Sequence, residues 1–386
     1  MIELAKKVLG LLLLVLCFMA SGSSAEKAYS EVDAAYSGPA VESSGIAYVQ
    51  EDNGRDVYRI LGEKFKEIYT AAQKQAEEKI VVSFAGDCTL GTDESFSYVN
   101  SFPYRFEKEN KDFGYFFRGV NKVFKEDDLS LVNLETTFTT ATQKAQKTFR
   151  FKGDPSYAGI LREGGIEMVN ISNNHIYDYL DRGFEDTLKA LKEAGILYSG
   201  EGNRGEYNVR GIRIASLGYT GWDTSVKKRV LSDIERVRGN TDILIVSFHW
   251  GEEGSFYANE VQTELGRLSI DAGADIVVGH HPHVVQGIER YKDKYIVYSL
   301  GNFCFGGNRN PADKDTFIFQ CSFTFQDGKL LKNEGRIIPC RISSTDSLND
   351  YQPALLTGTE AERVLERIYS YSGKLKYGIK KEQGQD

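Results

Sequence analysis

Histidine is scarce in this chain, and its distribution is uneven. Five occur among 386 residues. Three of them crowd into Gly279-His280-His281-Pro282-His283-Val284-Val285-Gln286. The other two, His175 and His249, end short apolar runs. Cysteine is equally sparse, and five residues are too few for a disulfide scaffold in a chain this long. Cys321 and Cys340 flank an expected hairpin and could pair; Cys88, Cys304, Cys321 and Cys340 as buried free thiols is the equal alternative. There is no basic run long enough for a nucleic-acid arm, and the formal charge is −8, which argues against a DNA or RNA partner. Internal repeats and low-complexity tracts are absent. The apolar run from Val8 to Ala20 is too short to span a membrane comfortably.

What is present begins with a leader. Lys6 and Lys7 precede that apolar run, and Ser21-Gly22-Ser23-Ser24-Ala25 supplies small residues after it. The pattern predicts a secretory signal peptide over residues 1–25, cleaved after Ala25. The segment persisting as a membrane anchor is the alternative, while lipidation of Cys17 is disfavoured by the bulky Leu16 before it. The expected location is therefore secreted or extracytoplasmic.

Residues 26–78 read as a polar spacer followed by a helix, in which Tyr58, Leu61, Phe65, Ile68 and Tyr69 recur at helical spacing. The main domain is expected over 79–342. Ile80–Ala85, Leu129–Leu134, Glu167–Ser172, Ile243–Phe248 and Asp275–Val278 read as buried strands. Helices are expected over 115–125, 155–164, 181–194 (with Asp181 as N-cap) and 260–272. The later segments up to Arg341 read as antiparallel strands, with turns at Gly211 and Asp327-Gly328. A polar tail, 343–386, carries one short helix near 360–369. Strands alternating with helices, then antiparallel strands, indicate an α/β domain whose sheet is extended or faced by a second one.

Polar residues cluster where these strands end. Asp87, Glu135, Asn174 with His175, His249, and His281 with His283 each closely follow an apolar strand. Sites in open α/β sheets form beyond the carboxyl edge of the strands, so these residues are expected to meet in one crevice. Carboxylate, carboxamide and imidazole together suit Mn, Fe or Zn, and two such ions could clamp a phosphoryl group and generate a hydroxide. Asp87, Glu135, Asn174, His249, His281 and His283 are the candidate metal ligands, with Glu135 as the bridge. His175 is the candidate general acid, and Arg150 the candidate contact to an anionic group. Taken singly each has an ordinary reading: Asp87 as a turn former, Asn173 and Asn174 as turn residues, His249 as a core histidine, Arg150 as a surface strand residue.

Six motifs in order carry a resemblance. Gly86-Asp87 with Leu90-Gly91, Asn133-Leu134-Glu135, Asn173-Asn174-His175, His249-Trp250-Gly251, Gly279-His280-His281-Pro282-His283 with Gln286, and Ser299-Leu300-Gly301-Asn302-Phe303 resemble the CapA-type poly-γ-glutamate capsule-synthesis proteins, a branch of the calcineurin-like metallophosphoesterases. The resemblance covers roughly 80–340. It implies a metallophosphoesterase-like, four-layer α/β/β/α sandwich with the metal site at one sheet edge. Thr89 stands where such enzymes usually carry a histidine, which removes one ligand from the first metal and leaves one or two ions as the expectation. His280 is not expected to be a ligand.

The function so implied is work on a capsule or envelope polymer, as a metal-dependent hydrolase or transferase. Its substrate would be an anionic polymer or a phosphorylated envelope molecule. The alternatives are an accessory protein that binds polymer or a membrane synthase complex, and a metal site retained only for folding.

Overall fold

A computed structural model describes residues 77–381. The signal-peptide expectation, and nearly all of the spacer and helix expected up to residue 78, lie outside the described residues. Among these, no helix is long and apolar enough to cross a membrane.

The chain lays down four strands of one sheet, all six of a second, and then returns to the first. The opening strands are β1 (Glu78–Thr89), β2 (Leu129–Leu134), β3 (Met168–Asn170) and β4 (Leu197–Ser199). The second sheet comprises β5 (Arg204–Val209), β6 (Ile212–Gly221), β7 (Ile243–Trp250), β8 (Ile276–His280), β9 (Ile288–Tyr291) and β10 (Lys294–Val297). The return supplies β11 (Asn302–Phe305), β12 (Asp315–Gln326), β13 (Lys329–Arg341) and β14 (Ala354–Leu355). The eight-stranded sheet runs β14-β13-β12-β1-β2-β3-β4, with β11 pairing beside the end of β1; the six-stranded sheet runs β9-β10-β8-β7-β6-β5. The β1-β2-β3-β4 and β6-β7-β8-β10 neighbours are parallel. Their carboxyl ends therefore come out at one edge of each sheet.

Helices cover the outer faces: α1 (Phe102–Lys108), α2 (Asn121–Lys125), α3 (Ala158–Gly164) and α4 (Leu180–Ala194) on the first sheet, α5 (Lys227–Arg238) and α6 (Glu260–Ala272) on the second. Strand alternation explains the layers. Val82, Phe84, Leu129 and Leu131 of the first sheet meet Ile214, Ile243, Ile245 and Val278 of the second in one apolar cluster. The opposite faces bury Val132 and Leu134 against Phe116, Phe117 and Leu161, and Val246 and Phe248 against Val230, Ile234 and Leu265. The result is the expected α/β/β/α sandwich.

Local chemistry fits these elements. The two expected hairpin turns, Arg210-Gly211 and Asp327-Gly328, have positive φ at both central residues, as does a third at Lys292-Asp293, the two-residue pattern that twists with its strands. A capping box starts α6: Asn259 Oδ1 accepts from Gln262 N (2.9 Å), and Gln262 Oε1 accepts from Asn259 N (3.0 Å). Asp181 is not the cap of α4. The helix starts one residue earlier, so Asp181 lies inside its first turn, where its charge suits the helix dipole. The helix expected over 115–125 is regular only at Asn121–Lys125. The last helix, α7 (Gly358–Ser372), buries Val364 and Ile368 in the cluster between the sheets. Cys321 and Cys340 are free. They lie on neighbouring strands but opposite Gly335 and Thr316 respectively, which is rungs apart and beyond disulfide reach.

Candidate metal centre

Asp87 lies near the end of β1, where the strand shifts register against β2 and β11. Its N–H donates to Gly301 O (2.9 Å). Gly86 permits this approach, because a Cβ there would lie 1.9 Å from the same carbonyl. Glu135 follows β2, its N–H donating to Cys88 O (2.9 Å). His249 lies in β7, and the 281–283 loop turns back directly after β8. That loop holds His281 at φ 96° and His283 at φ 58°, a backbone strain of the kind that concentrates at functional sites.

Five of the six candidate ligands meet through their donor atoms around one carboxylate. Glu135 Oε1 lies 3.4 Å from His249 Nε2, which is itself 2.8 Å from Asn174 Oδ1. Glu135 Oε2 lies 3.8 Å from His283 Nδ1, and that nitrogen is 3.2 Å from Asp87 Oδ2. The sixth, His281, joins Glu135 and His283 with ligand atoms all within 4.8 Å of one another. Glu135 therefore stands between an Asn174–His249 set and an Asp87–His283 set.

An asparagine ladder holds this arrangement. Asn170 Nδ2 donates to Asn133 Oδ1 (2.8 Å), and Asn133 Nδ2 donates to Asp87 Oδ1 (2.8 Å) while lying 3.3 Å from His249 Nδ1. Asn173 is a turn former, donating to Leu134 O (2.8 Å) and accepting from His175 N (3.0 Å). Asn302 Oδ1 lies 3.0 Å from His283 Nδ1. Asn133 and Asn302 are supports that residue-by-residue reasoning overlooked, although both stand inside the motifs that carried the resemblance.

The electrostatics follow from burial. Burial pushes Glu135 well above the usual carboxylate range, with Asp87 and Glu253 adding to it against the opposing charge of His283. Burial acts on Asp87 too, but the hydrogen bond and charge of His283 prevail and hold it below its ordinary value. Burial disfavours a charged His283, yet Glu135 and Asp87 raise it to about 9. Burial lowers His280 and His281 to about 4 and holds His249 well below its ordinary value, with the neighbouring histidines adding to it. Neutral imidazoles, as at His249 and His281, are what metal ligation needs, and His283 would give up its proton to join them.

The donor set fits a divalent ion. Glu135 is fully buried, and both its carboxylate oxygens lack a hydrogen-bond partner, as does buried His281 Nδ1. Buried polar atoms are ordinarily paired, so these are aimed at something that accepts lone pairs. Oxygen and imidazole without thiolate suit Mn, Fe or Zn, since Cys88 packs into the helix-side core instead.

His175 sits at the edge of the cluster. Its Nδ1 is 2.7 Å from Asp178 Oδ2, and Lys147 Nζ donates to Asp178 Oδ1 (2.7 Å) and Asn174 O (2.6 Å). The His175-x-x-Asp178 spacing was a usable signal for that partner; Lys147, from a loop, had none. Arg150 does not join them. Phe149 and Phe151 line the adjoining cavity and Arg150 does not, because side chains alternate along the extended segment. Its N–H donates to Asp93 Oδ2 (2.6 Å). Trp222, 48% exposed, stands edge-on to His281 at 4.7 Å between ring centroids.

Residues 81–307 match the family described as bacterial capsule synthesis protein PGA_cap, well over half of the chain. The chain belongs to that family. It is 32% identical over 270 residues to the capsule biosynthesis protein CapA of Bacillus anthracis, covering 62% of this chain and 63% of that protein. It is 31% identical over 254 residues to the PGA biosynthesis protein CapA of Bacillus subtilis (strain 168), covering 60% and 64%. A probable polyglutamine synthesis accessory protein of Mycobacterium tuberculosis (strain CDC 1551 / Oshkosh) is 27% identical over 208 residues, covering 45% and 55%. The chain thus spans just under two thirds of the CapA proteins it matches.

Proposed function

We propose that this PGA_cap protein is exported and works in the production of a capsule or envelope polymer of the poly-γ-glutamate type, as a metal-dependent hydrolase or transferase acting on an anionic or phosphorylated substrate. The observation that carries the chemistry is Glu135: a buried carboxylate without hydrogen bonds, one oxygen toward His249 and the other toward His283. Asp87, Glu135, Asn174, His249, His281 and His283 would hold one or two ions. A bound divalent ion would supply a positive charge for an anionic group and lower the pKa of a coordinated water. Asn133 orients Asp87, and Asn302 orients His283. Asp178 occupies Nδ1 of His175, leaving Nε2 as the nitrogen that passes a proton to a leaving oxygen.

The names of the relatives supply the biological setting, and the word accessory in one of them favours a second reading. In that reading the protein binds polymer or a membrane synthase and catalyses nothing. One variant separates the two. His175→Ala in a producing cell, with metal content measured on the purified protein, abolishes polymer output with the metal retained if the site is catalytic. Unchanged output with intact metal supports the accessory role. Purified protein loaded with manganese or zinc that leaves phosphomonoester, phosphodiester and γ-glutamyl substrates untouched would overturn the enzymatic reading.

A further inference from the structure

A cavity of about 640 Å³ opens beside the cluster, within the usual size of small-ligand pockets. His175, His283 and Asn302 of the cluster and its surroundings are among its lining residues. Much of the wall is aromatic. Phe151 packs on His175 with ring centroids 4.4 Å apart, and Phe305 on His283 at 5.1 Å; Phe149 and Phe256 add to it. The outer wall is fixed from behind by α7: Arg367 pairs with Asp313 (2.7 Å) and lies over the Phe256 ring at 5.5 Å.

Charge in the cavity is wrong for a polyanion. Asp313 is already neutralised by Arg367, while Glu253 has no hydrogen-bond or ion-pair partner among the described residues. Arg309 is the one arginine or lysine among the lining residues, and its guanidinium donates to Val99 O (3.4 Å). A strand with a carboxylate on every unit would meet phenyl rings and an unpaired glutamate here. We propose that the cavity holds an apolar alkyl or aryl group of a phosphoester whose anionic end lies at the cluster. The substrate is then an amphiphile, with the polymer strand itself outside this cavity. The inference rests on the reading of the cluster as a divalent-metal site for an anionic group.

Isothermal titration of the zinc-loaded full chain with methylphosphonate and with octylphosphonate, below its aggregation concentration, tests both layers separately. Octylphosphonate is expected to bind on the order of tenfold tighter or more, from burial of its methylenes. Phe256→Ala and Phe149→Ala should shrink that ratio toward one. Phe149 is 49% exposed, so its variant carries the test if the other fails to fold. Equal affinities overturn the cavity assignment and leave the anion site standing. Octylphosphonate binding that survives chelation unchanged supports the cavity and removes the metal. If neither compound binds, both readings fall.

Discussion

Glu135 Oε1 lies 3.4 Å from His249 Nε2, and neither oxygen of that fully buried carboxylate accepts a hydrogen bond. Burying an unpaired carboxylate costs several kcal/mol on the order of other buried ions. A divalent ion bound there would therefore stabilise the fold, by about 2.7 kcal/mol at a free concentration of 100 times its Kd. Glu135→Gln keeps the shape and removes the charge. The variant is expected to melt at or above the metal-free parent, yet to lose the rise that zinc or manganese gives the parent. Thermal denaturation with and without ion, beside elemental analysis, measures both. A variant that still gains stability from the ion would show that Glu135 is no ligand.

His175 is held from one side by Asp178 and Lys147. Asp178, fully buried, accepts from the Phe151 N–H (2.6 Å) as well as holding His175 Nδ1. Asp178→Asn should misdirect the imidazole and lower turnover by about 10²–10⁴-fold, the size of a lost acid–base contribution, with metal content unchanged. Lys147→Met should act in the same direction and more weakly, since Lys147 is 31% exposed and its ion pair is partly screened. Steady-state kinetics with metal analysis decides; loss of bound metal in either variant would assign these residues to the ligand scaffold instead.

How much of this was legible beforehand follows from where each residue sits. Asp87 and His249 lie near the ends of buried strands, Glu135 and His283 just beyond two others, and parallel strands deliver their ends to a common edge, so position along the chain brought them together. The pairing of both sheets against one core likewise follows from apolar runs such as Ile243–Phe248. Arg150, absent from the cavity lining, was the harder case, because a cation in an extended segment reveals nothing of the face it takes. Lys147, Phe256 and Arg367 come from a loop, a loop and a late helix. No local pattern ties such residues to a site that only tertiary packing assembles. The Cys321–Cys340 pairing failed on register, which a count of cysteines does not contain.

Stability should depend on pH through a pair far from the metal ligands. Burial raises Glu167 to about 7 and Asp127 to about 6, both above the ordinary carboxylate values near 4. The folded chain thus binds these protons more tightly than the unfolded chain. Their stabilisation is fully present below about pH 4 and is lost as pH rises through 6 and 7. Glu167→Gln retains an acceptor for the Ser130 N–H, now 2.8 Å from the carboxylate, and cannot ionise. Urea unfolding of the variant should lose less stability than the parent between about pH 4.5 and 7. Parallel pH profiles for the two proteins would remove Glu167 from the account.

The crossing of β1 over the Leu300-Gly301 turn is what delivers Asp87 to the cluster, and it leaves no room at Gly86. An added Cβ would lie 1.9 Å from Gly301 O and 3.3 Å from the Leu300 carbonyl carbon. Both neighbours are backbone, so relief requires the strand or the turn to move. Overpacking of this kind costs about 1–3 kcal/mol and at times more; with two main chains opposed, Gly86→Ala belongs at the upper end. Chelated protein should therefore show a lowered denaturation midpoint. Because the same shift displaces Asp87, whose N–H is tied to Gly301 O at 2.9 Å, ion affinity should fall as well. Gly195→Ala is the control for the loss of a glycine, since open space surrounds its Cβ position and only its φ of 75° opposes the change. That control should cost stability through backbone strain alone and leave ion affinity intact. Equal effects of the two substitutions on metal binding would break the link drawn between the crossing and the site.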